Sequence, residues 1–168
     1  GATAEIAVIG CEGMVGIAQF LGGQSAPSRA VVQSAGYGYR LKSSVLAQEL
    51  GEPLPLVRTL LSYTEALIVQ TSQTAVCNRH HSIEQQLCRW LLLSLDRLQS
   101  NEVAMTQELI ANMLGVRRQG ITTAARALLQ AGLIIYRQGR ITVLDRNKLE
   151  QRCCECYFVV KREYERLL

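Results

Sequence analysis

Residues 106 to 129 read TQELIANMLGVRRQGITTAARALL, and the division of this stretch decides the fold. Thr106 is suited to cap a helix, and Glu108 in the first turn suits the positive end of the helix dipole. Ile110, Leu114, Ile121, Ala124, Ala125 and Leu128 fall where two crossed helices bury residues between them, and Gly115 supplies the sharp turn. Small Ala111, four residues before Gly115, and apolar Ile121, six after it, allow close helix contact. The second helix opens with Arg117, Arg118 and Gln119, with Thr122 and Thr123 a turn later. Such a cluster suits base edges and phosphates better than a core, so the stretch reads as a helix-turn-helix with a DNA-facing second helix.

After Gly132 the chain reads LIIYRQGRITVL. Two β-rich runs flank Gln138-Gly139, and Ile141 and Val143 alternate with Thr142, which predicts a hairpin set like a wing. From Gln107 to Tyr157, the run QELIANMLGVRRQGITTAARALLQAGLIIYRQGRITVLDRNKLEQRCCECY resembles the winged-helix output domain of the Crp/Fnr superfamily of bacterial transcription regulators. The first half resembles, more weakly, the later strands of that family's effector-binding β-roll and its long dimerisation helix.

The resemblance implies an α+β fold with three parts. These are a partial cyclic-nucleotide-binding-like β-roll over 1–52, a dimerisation helix and hinge over 53–81, and a winged helix-turn-helix domain with a C-terminal helix over 82–168. It implies a homodimer that binds double-stranded operator DNA under an effector's control and works with RNA polymerase. Alignment at Gly115 puts base-reading roles on Arg118, Gln119 and Thr123. From the residues alone, Arg117 and Thr122 flank the same face, while Arg126, Arg137 and Arg140 suit phosphates. In cyclic-nucleotide-binding members a Gly-Glu pair and an Arg-Ser pair hold ribose and phosphate. Here Gly16 is followed by Ile17, and the later pair reads Ser28-Arg29. With no carboxylate to accept from the ribose hydroxyl, cyclic AMP is not the expected ligand, although Arg29 can meet another anion.

Length and composition agree with two small domains. The chain has 168 residues, 48% of them hydrophobic and 19% charged, and no apolar run long enough to cross a bilayer. The N-terminus lacks a secretory signal, so a cytoplasmic setting is expected, and a start at Gly1 suggests processing or truncation. The net charge of +4 is uneven: residues 1–84 hold five Lys/Arg against six Asp/Glu, and residues 85–168 hold thirteen against eight. Arg117, Arg118, Arg126, Arg137, Arg140, Arg146 and Lys148 gather near the helix-turn-helix and wing, opposed there by Glu108 and Asp145. A polyanionic partner fits that half.

The six cysteines form no evenly spaced disulfide framework. Cys153-Cys154-Glu155-Cys156 invites a metal reading, but neighbours on a helix point apart and no second ligand pair stands at a usual spacing. The expectation is therefore no metal and no cofactor, with Cys153 and Cys156 as small core residues and His80-His81 as a solvated helix end.

Along the first forty residues, short apolar runs alternate with glycines, which predicts short strands and turns. The family carries strands before this point, so either the chain is a fragment or its sensor differs. SSVLAQEL, from Ser43, predicts a short helix broken by Gly51, Pro53 and Pro55. A long helix from about Leu56 to Arg79 follows, with Leu56, Leu60, Tyr63, Leu67, Gln70 and Thr74 recurring on one side. Roughly 24 residues would span about 36 Å, which suits a dimer seam. Ser82 and Gln85 form a capping-box signature ahead of a helix whose Leu87, Trp90, Leu91, Leu95 and Leu98 share a face. A last amphipathic segment aligns Leu149, Cys153, Cys156, Tyr157, Val160, Tyr164 and Leu167. No catalytic grouping or phosphate-binding loop stands out, so an enzyme is not expected. The rival reading is a dimeric ligand- or redox-sensing module that acts through a protein partner.

Overall fold

The computed structural model describes residues 3–23, 25, 28–49, 55–98 and 100–168. In chain order these form helices α1 (Ser43–Glu49), α2 (Pro55–His80) and α3 (Ile83–Asp96), then strand β1 (Glu102–Ala104). Helices α4 (Gln107–Leu114) and α5 (Arg118–Gln130), strands β2 (Ile134–Arg137) and β3 (Arg140–Val143), and helices α6 (Arg146–Arg152) and α7 (Glu155–Leu167) follow. The α+β class read from the sequence holds. Among the described residues, no helix is long and apolar enough to cross a membrane.

Helix α3 is the centre of the packing. Its start is fixed by the predicted capping box: the Ser82 hydroxyl accepts from the Gln85 backbone N–H at 3.3 Å, and the Gln85 side chain accepts from the Ser82 N–H at 3.1 Å. Every residue from Gln86 to Leu95 is buried, so the helix is covered on all sides rather than on the one face the sequence suggested. Helices α5, α6 and α7 and strand β1 supply that cover. At Gly120 a Cβ would stand 2.6 Å from Ile83 Cδ1, which is how closely α5 approaches the start of α3.

The three strands form an antiparallel sheet in the order β1-β3-β2. The strand period of two sends Val103, Ile134, Ile141 and Val143 into the core and leaves Ile135, Arg137 and Arg140 outside. Arg137 pairs with Arg140 across the turn, where Gln138 (φ +49°) and Gly139 (φ +74°) both adopt the left-handed conformation that a two-residue hairpin needs. The expected wing is formed.

The C-terminal segment is two helices, not one. Asp145 caps α6 by accepting the Lys148 backbone N–H at 3.0 Å, a bond that also holds its carboxyl below the usual range. Cys153 and Cys154 then run extended, with ψ of 160° and 165°, before α7 begins. Neither glycine nor proline marks that break, so the sequence carried no signal for it. Leu149, Cys156, Tyr157 and Val160 are buried as expected.

Helix α2 lies along α7, and this placement corrects the predicted dimer seam. Leu60, Tyr63, Gln70 and Thr74 face the chain's own interior. The Gln70 amide donates to the Val8 carbonyl and to the Tyr164 hydroxyl, both at 3.1 Å. Arg97 joins four segments: it donates to the Leu93 carbonyl and to Gln70, pairs with Glu12 at 2.9 Å, and stacks 4.9 Å from the Tyr164 ring centre. The apolar residues that α2 leaves exposed are Leu56, Leu61, Ile68 and Val76.

The expected β-roll strands are not formed among the described residues before Ser43. That segment is irregular apart from a 3-10 turn at Ile17–Gln19. Strand pairing needs a partner ladder, and the apolar residues of the second run stay in water, with Val31, Val32, Tyr37 and Tyr39 all exposed. The segment instead docks on the rest of the chain through single bonds. Glu5 N–H donates to the Met113 carbonyl at 2.7 Å, and the Tyr63 hydroxyl donates to the Met14 carbonyl at 2.9 Å. Burial pushes the Tyr63 phenol up to about 12 and raises the Glu5 carboxyl. Residues 50–54, which hold the predicted breakers Gly51 and Pro53 and the 52/53 domain boundary, lie outside the described residues.

Candidate nucleic-acid interface

The helix-turn-helix is built by local signals. The Thr106 hydroxyl accepts from the Leu109 N–H at 3.3 Å and starts α4. Gly115 ends it at φ +66°, ψ +29°, so a left-handed residue stands where the sequence placed the turn. Ile110, Ala111, Leu114, Ile121, Ala124, Ala125 and Leu128 are all buried between the two helices and α3. Helix α5 is thereby fixed in rotation about its own axis. Its buried row leaves Gln119, Thr123, Arg126 and Gln130 one above another on the opposite face, all exposed.

The candidate residues divide by what already holds them. Arg117 precedes α5 and Arg118 begins it, both exposed, with Arg118 3.6 Å from Glu108 in a pair that water screens. Thr122 is half-buried, and its hydroxyl donates to the Gln107 side chain at 2.7 Å, which braces α5 against the start of α4. Thr123 is exposed and donates back to the Gln119 carbonyl at 3.0 Å, which leaves its oxygen free to accept. The wing is locked to the same place through Tyr136, whose hydroxyl accepts from the Gln107 N–H at 3.1 Å. Sequence reasoning missed Gln107, Tyr136 and Gln130, although Gln130 was recoverable from its spacing of seven and four residues from Thr123 and Arg126.

The cation cluster is smaller than its sequence suggested, because carboxylates both local and from distant elements reach into it. Arg146 bonds Asp96, lies 3.0 Å from Glu150 and donates to the Tyr157 hydroxyl at 2.6 Å, so it clamps α6 to α3 and α7. Lys148 pairs with Asp145 at 3.1 Å, and Arg140 pairs with Glu102 at 2.6 Å across β1 and β3. Among the described residues, Arg117, Arg126 and Arg137 have no carboxylate within ion-pair distance and remain available to phosphates. The Arg140 pair gives a direct test. Glu102→Gln should strengthen binding to any duplex and steepen its salt dependence by roughly one unit per chain, read by fluorescence anisotropy across salt concentrations. An unchanged slope would place Arg140 away from the duplex.

The proposed effector residues are not drawn into a pocket by any hydrogen bond among the described residues. Gly16 (φ +96°) precedes the single 3-10 turn, and Ser28 and Arg29 are exposed on the irregular segment.

Residues 85–152 match the Crp-like helix-turn-helix domain family. Among curated proteins, none matches this sequence. Among solved structures, FixK2 from Bradyrhizobium japonicum is similar at 18% identity and TM-score 0.58, over 68% of this chain and 60% of its own. A protein described as a Crp/Fnr-family transcriptional regulator from Eubacterium rectale matches at 24% identity and TM-score 0.50, over 66% of this chain and 51% of its own. A CRP-family transcriptional regulator from Thermus thermophilus matches at 17% identity and TM-score 0.52, over 61% and 56%. The chain thus spans between about half and three-fifths of the length of these structures. The resemblance to Crp/Fnr regulators read from the sequence is shown by the Crp-like helix-turn-helix domain at residues 85–152, and the solved structures share the fold.

Proposed function

We propose that this protein is a sequence-specific, DNA-binding transcription regulator of the Crp/Fnr type, which binds operator DNA as a homodimer under the control of an effector. The observation that carries the reading is the outward face of α5. Gln119, Thr123, Arg126 and Gln130 stand exposed in one row with Arg117 and Arg118 at its N-terminal end, above a fully buried apolar face. A helix presented in this way places its first residues at base edges in the major groove, with the wing arginine Arg137 beside the backbone. This activity requires positioning rather than bond-making, and RNA polymerase is the further partner it implies. Selection of binding sites from a random pool tests it: a two-fold symmetric consensus is expected, and a pool with no enriched sequence would overturn it.

Dimerisation is assigned to the side of α2 that its own chain leaves uncovered. Leu61 and Ile68 are 53% and 59% exposed, seven residues apart, which is two turns along one face. Ile68→Glu should give the monomer mass by light scattering with the helical content unchanged. Leu60→Glu, at a residue only 7% exposed, should instead destabilise the protomer itself. A dimer that survives Ile68→Glu and Leu61→Glu together would place the interface elsewhere.

A further inference from the structure

Four potential metal ligands from two stretches more than seventy residues apart in the sequence meet where α2 ends and α7 begins. Cys77 and His81 are four residues apart, so both project from one side of the last turn of α2, where the His81 N–H still bonds the Cys77 carbonyl at 3.0 Å. Cys154 and Cys156 stand at the first turn of α7. Each contributes a single ligand atom, and all four atoms lie within 4.8 Å of one another. The Cys77 and Cys154 sulfurs are 3.5 Å apart, and the Cys156 sulfur is 3.6 Å from His81 Nδ1. A tetrahedral zinc ion with bonds of about 2.3 Å to sulfur and 2.0 Å to nitrogen needs edges of roughly 3.5 to 3.8 Å.

Three further features separate this cluster from ordinary core thiols. The imidazole is already oriented: His81 Nε2 lies 3.2 Å from the Glu155 carboxylate, and a proton held there leaves Nδ1 as the lone pair facing the sulfurs. The three cysteines are buried, which closes the site to solvent as in a structural centre rather than a catalytic one. Arg89, 3% exposed, bonds the Thr74 hydroxyl at 3.0 Å one turn before Cys77 and has no carboxylate within ion-pair distance among the described residues, although its charge is felt at the buried Glu5 carboxyl. A buried guanidinium calls for a negative neighbour. Three thiolates around a divalent ion carry one net negative charge, which would add to the Glu5 carboxyl on the side of Thr74 and Cys77. Cys88, buried in the core built on α3, is not among the grouped ligand atoms.

We propose that Cys77, His81, Cys154 and Cys156 form a closed tetrahedral site for one zinc ion, which clasps the end of the long helix to the start of the C-terminal helix. The sequence reading expected no metal because it found no second ligand pair near Cys154 and Cys156. The pair is Cys77-x-x-x-His81, brought there by the packing of α2 on α7. The reaction is ligand exchange without electron transfer: the thiols lose their protons to solvent as zinc replaces them, and no bond is oxidised.

The test is a cobalt titration of the full chain after reduction and removal of metal, followed by zinc displacement. One equivalent of cobalt should produce the intense ligand-field bands of a tetrahedral ion and a sulfur-to-cobalt charge-transfer band, and one equivalent of zinc should abolish both. Cys77→Ser and Cys154→Ser should weaken binding by at least about tenfold, His81→Cys should keep the tetrahedral spectrum, and Cys88→Ser should change nothing. The wild-type titration does not depend on any variant folding, and circular dichroism checks each variant. An octahedral spectrum, no saturable binding, an iron–sulfur chromophore, or a Cys77–Cys154 disulfide as the resting state would each overturn the proposal.

Discussion

Replacing Trp90 with alanine should destabilise the protein by about 3 to 5 kcal/mol, the largest loss expected of any single truncation in its core. The residue is 1% exposed at the middle of α3, the helix that every neighbouring element covers. Removing the indole takes away its transfer free energy and leaves a cavity that cannot readily collapse, since Leu87, Leu91, Leu92 and Leu93 on the same helix are themselves buried in the same core. A loss of this size is comparable with the whole stability of a small domain, so the variant should be partly unfolded at room temperature. Urea denaturation followed by circular dichroism measures it. Leu129→Ala, at a residue 48% exposed on α5, is the control and should cost under about 0.5 kcal/mol. Similar losses for the two variants would show that the core is not assembled on α3.

The second large effect belongs to DNA binding. Arg118→Ala should weaken operator binding far more than binding to random duplex. An arginine forked onto a guanine edge carries about 1 to 3 kcal/mol of discrimination, and a dimer uses it twice, so about 2 to 6 kcal/mol is at stake. Arg137→Ala should lower affinity for both duplexes alike and flatten the salt dependence, since an arginine at the wing turn with no carboxylate partner suits a phosphate. Arg140→Ala should do less than Arg137→Ala, because Glu102 already neutralises that side chain. The two half-sites of the operator should lie roughly 34 Å apart in an inverted repeat. If Arg118→Ala leaves the selected sequence unchanged, the base-reading role belongs to another residue of the α5 face.

What the sequence made legible is what local chemistry decides. Thr106, Gly115 and the Ser82–Gln85 box act on their own backbone within three or four residues, and each stands where its spacing placed it. The two β-runs around Gln138-Gly139 carried their own turn, so the wing was equally readable. Most of the features that were missed depend on distant partners. Which side of α2 is buried was decided by α7 and by the segment around Val8 and Met14, and period alone cannot choose between two apolar sides. Arg146 looked like a free cation until Asp96, fifty positions earlier, was folded against it. The break at Cys153-Cys154 has no turn residue to announce it. Apolar runs near the N-terminus matched strands in pattern, but a strand is completed by its neighbour, and none is formed there among the described residues.

The match to the Crp-like domain ends at residue 152, and α7 begins three positions later. Cys156, Tyr157 and Val160 of that helix are fully buried: Cys156 packs with Cys77 of α2, while Tyr157 and Val160 belong to the core built on α3, and α2 lies along the rest of α7. The segment that matches the domain family is therefore not the segment that can be cut out. A piece starting at Ser82 would keep both helices of the helix-turn-helix and the wing, yet it would lay bare the side of α7 on which α2 rests and strand Arg97 without Gln70. Dissection of this protein has to begin upstream of Pro55, so that the long helix travels with the domain it precedes in the chain.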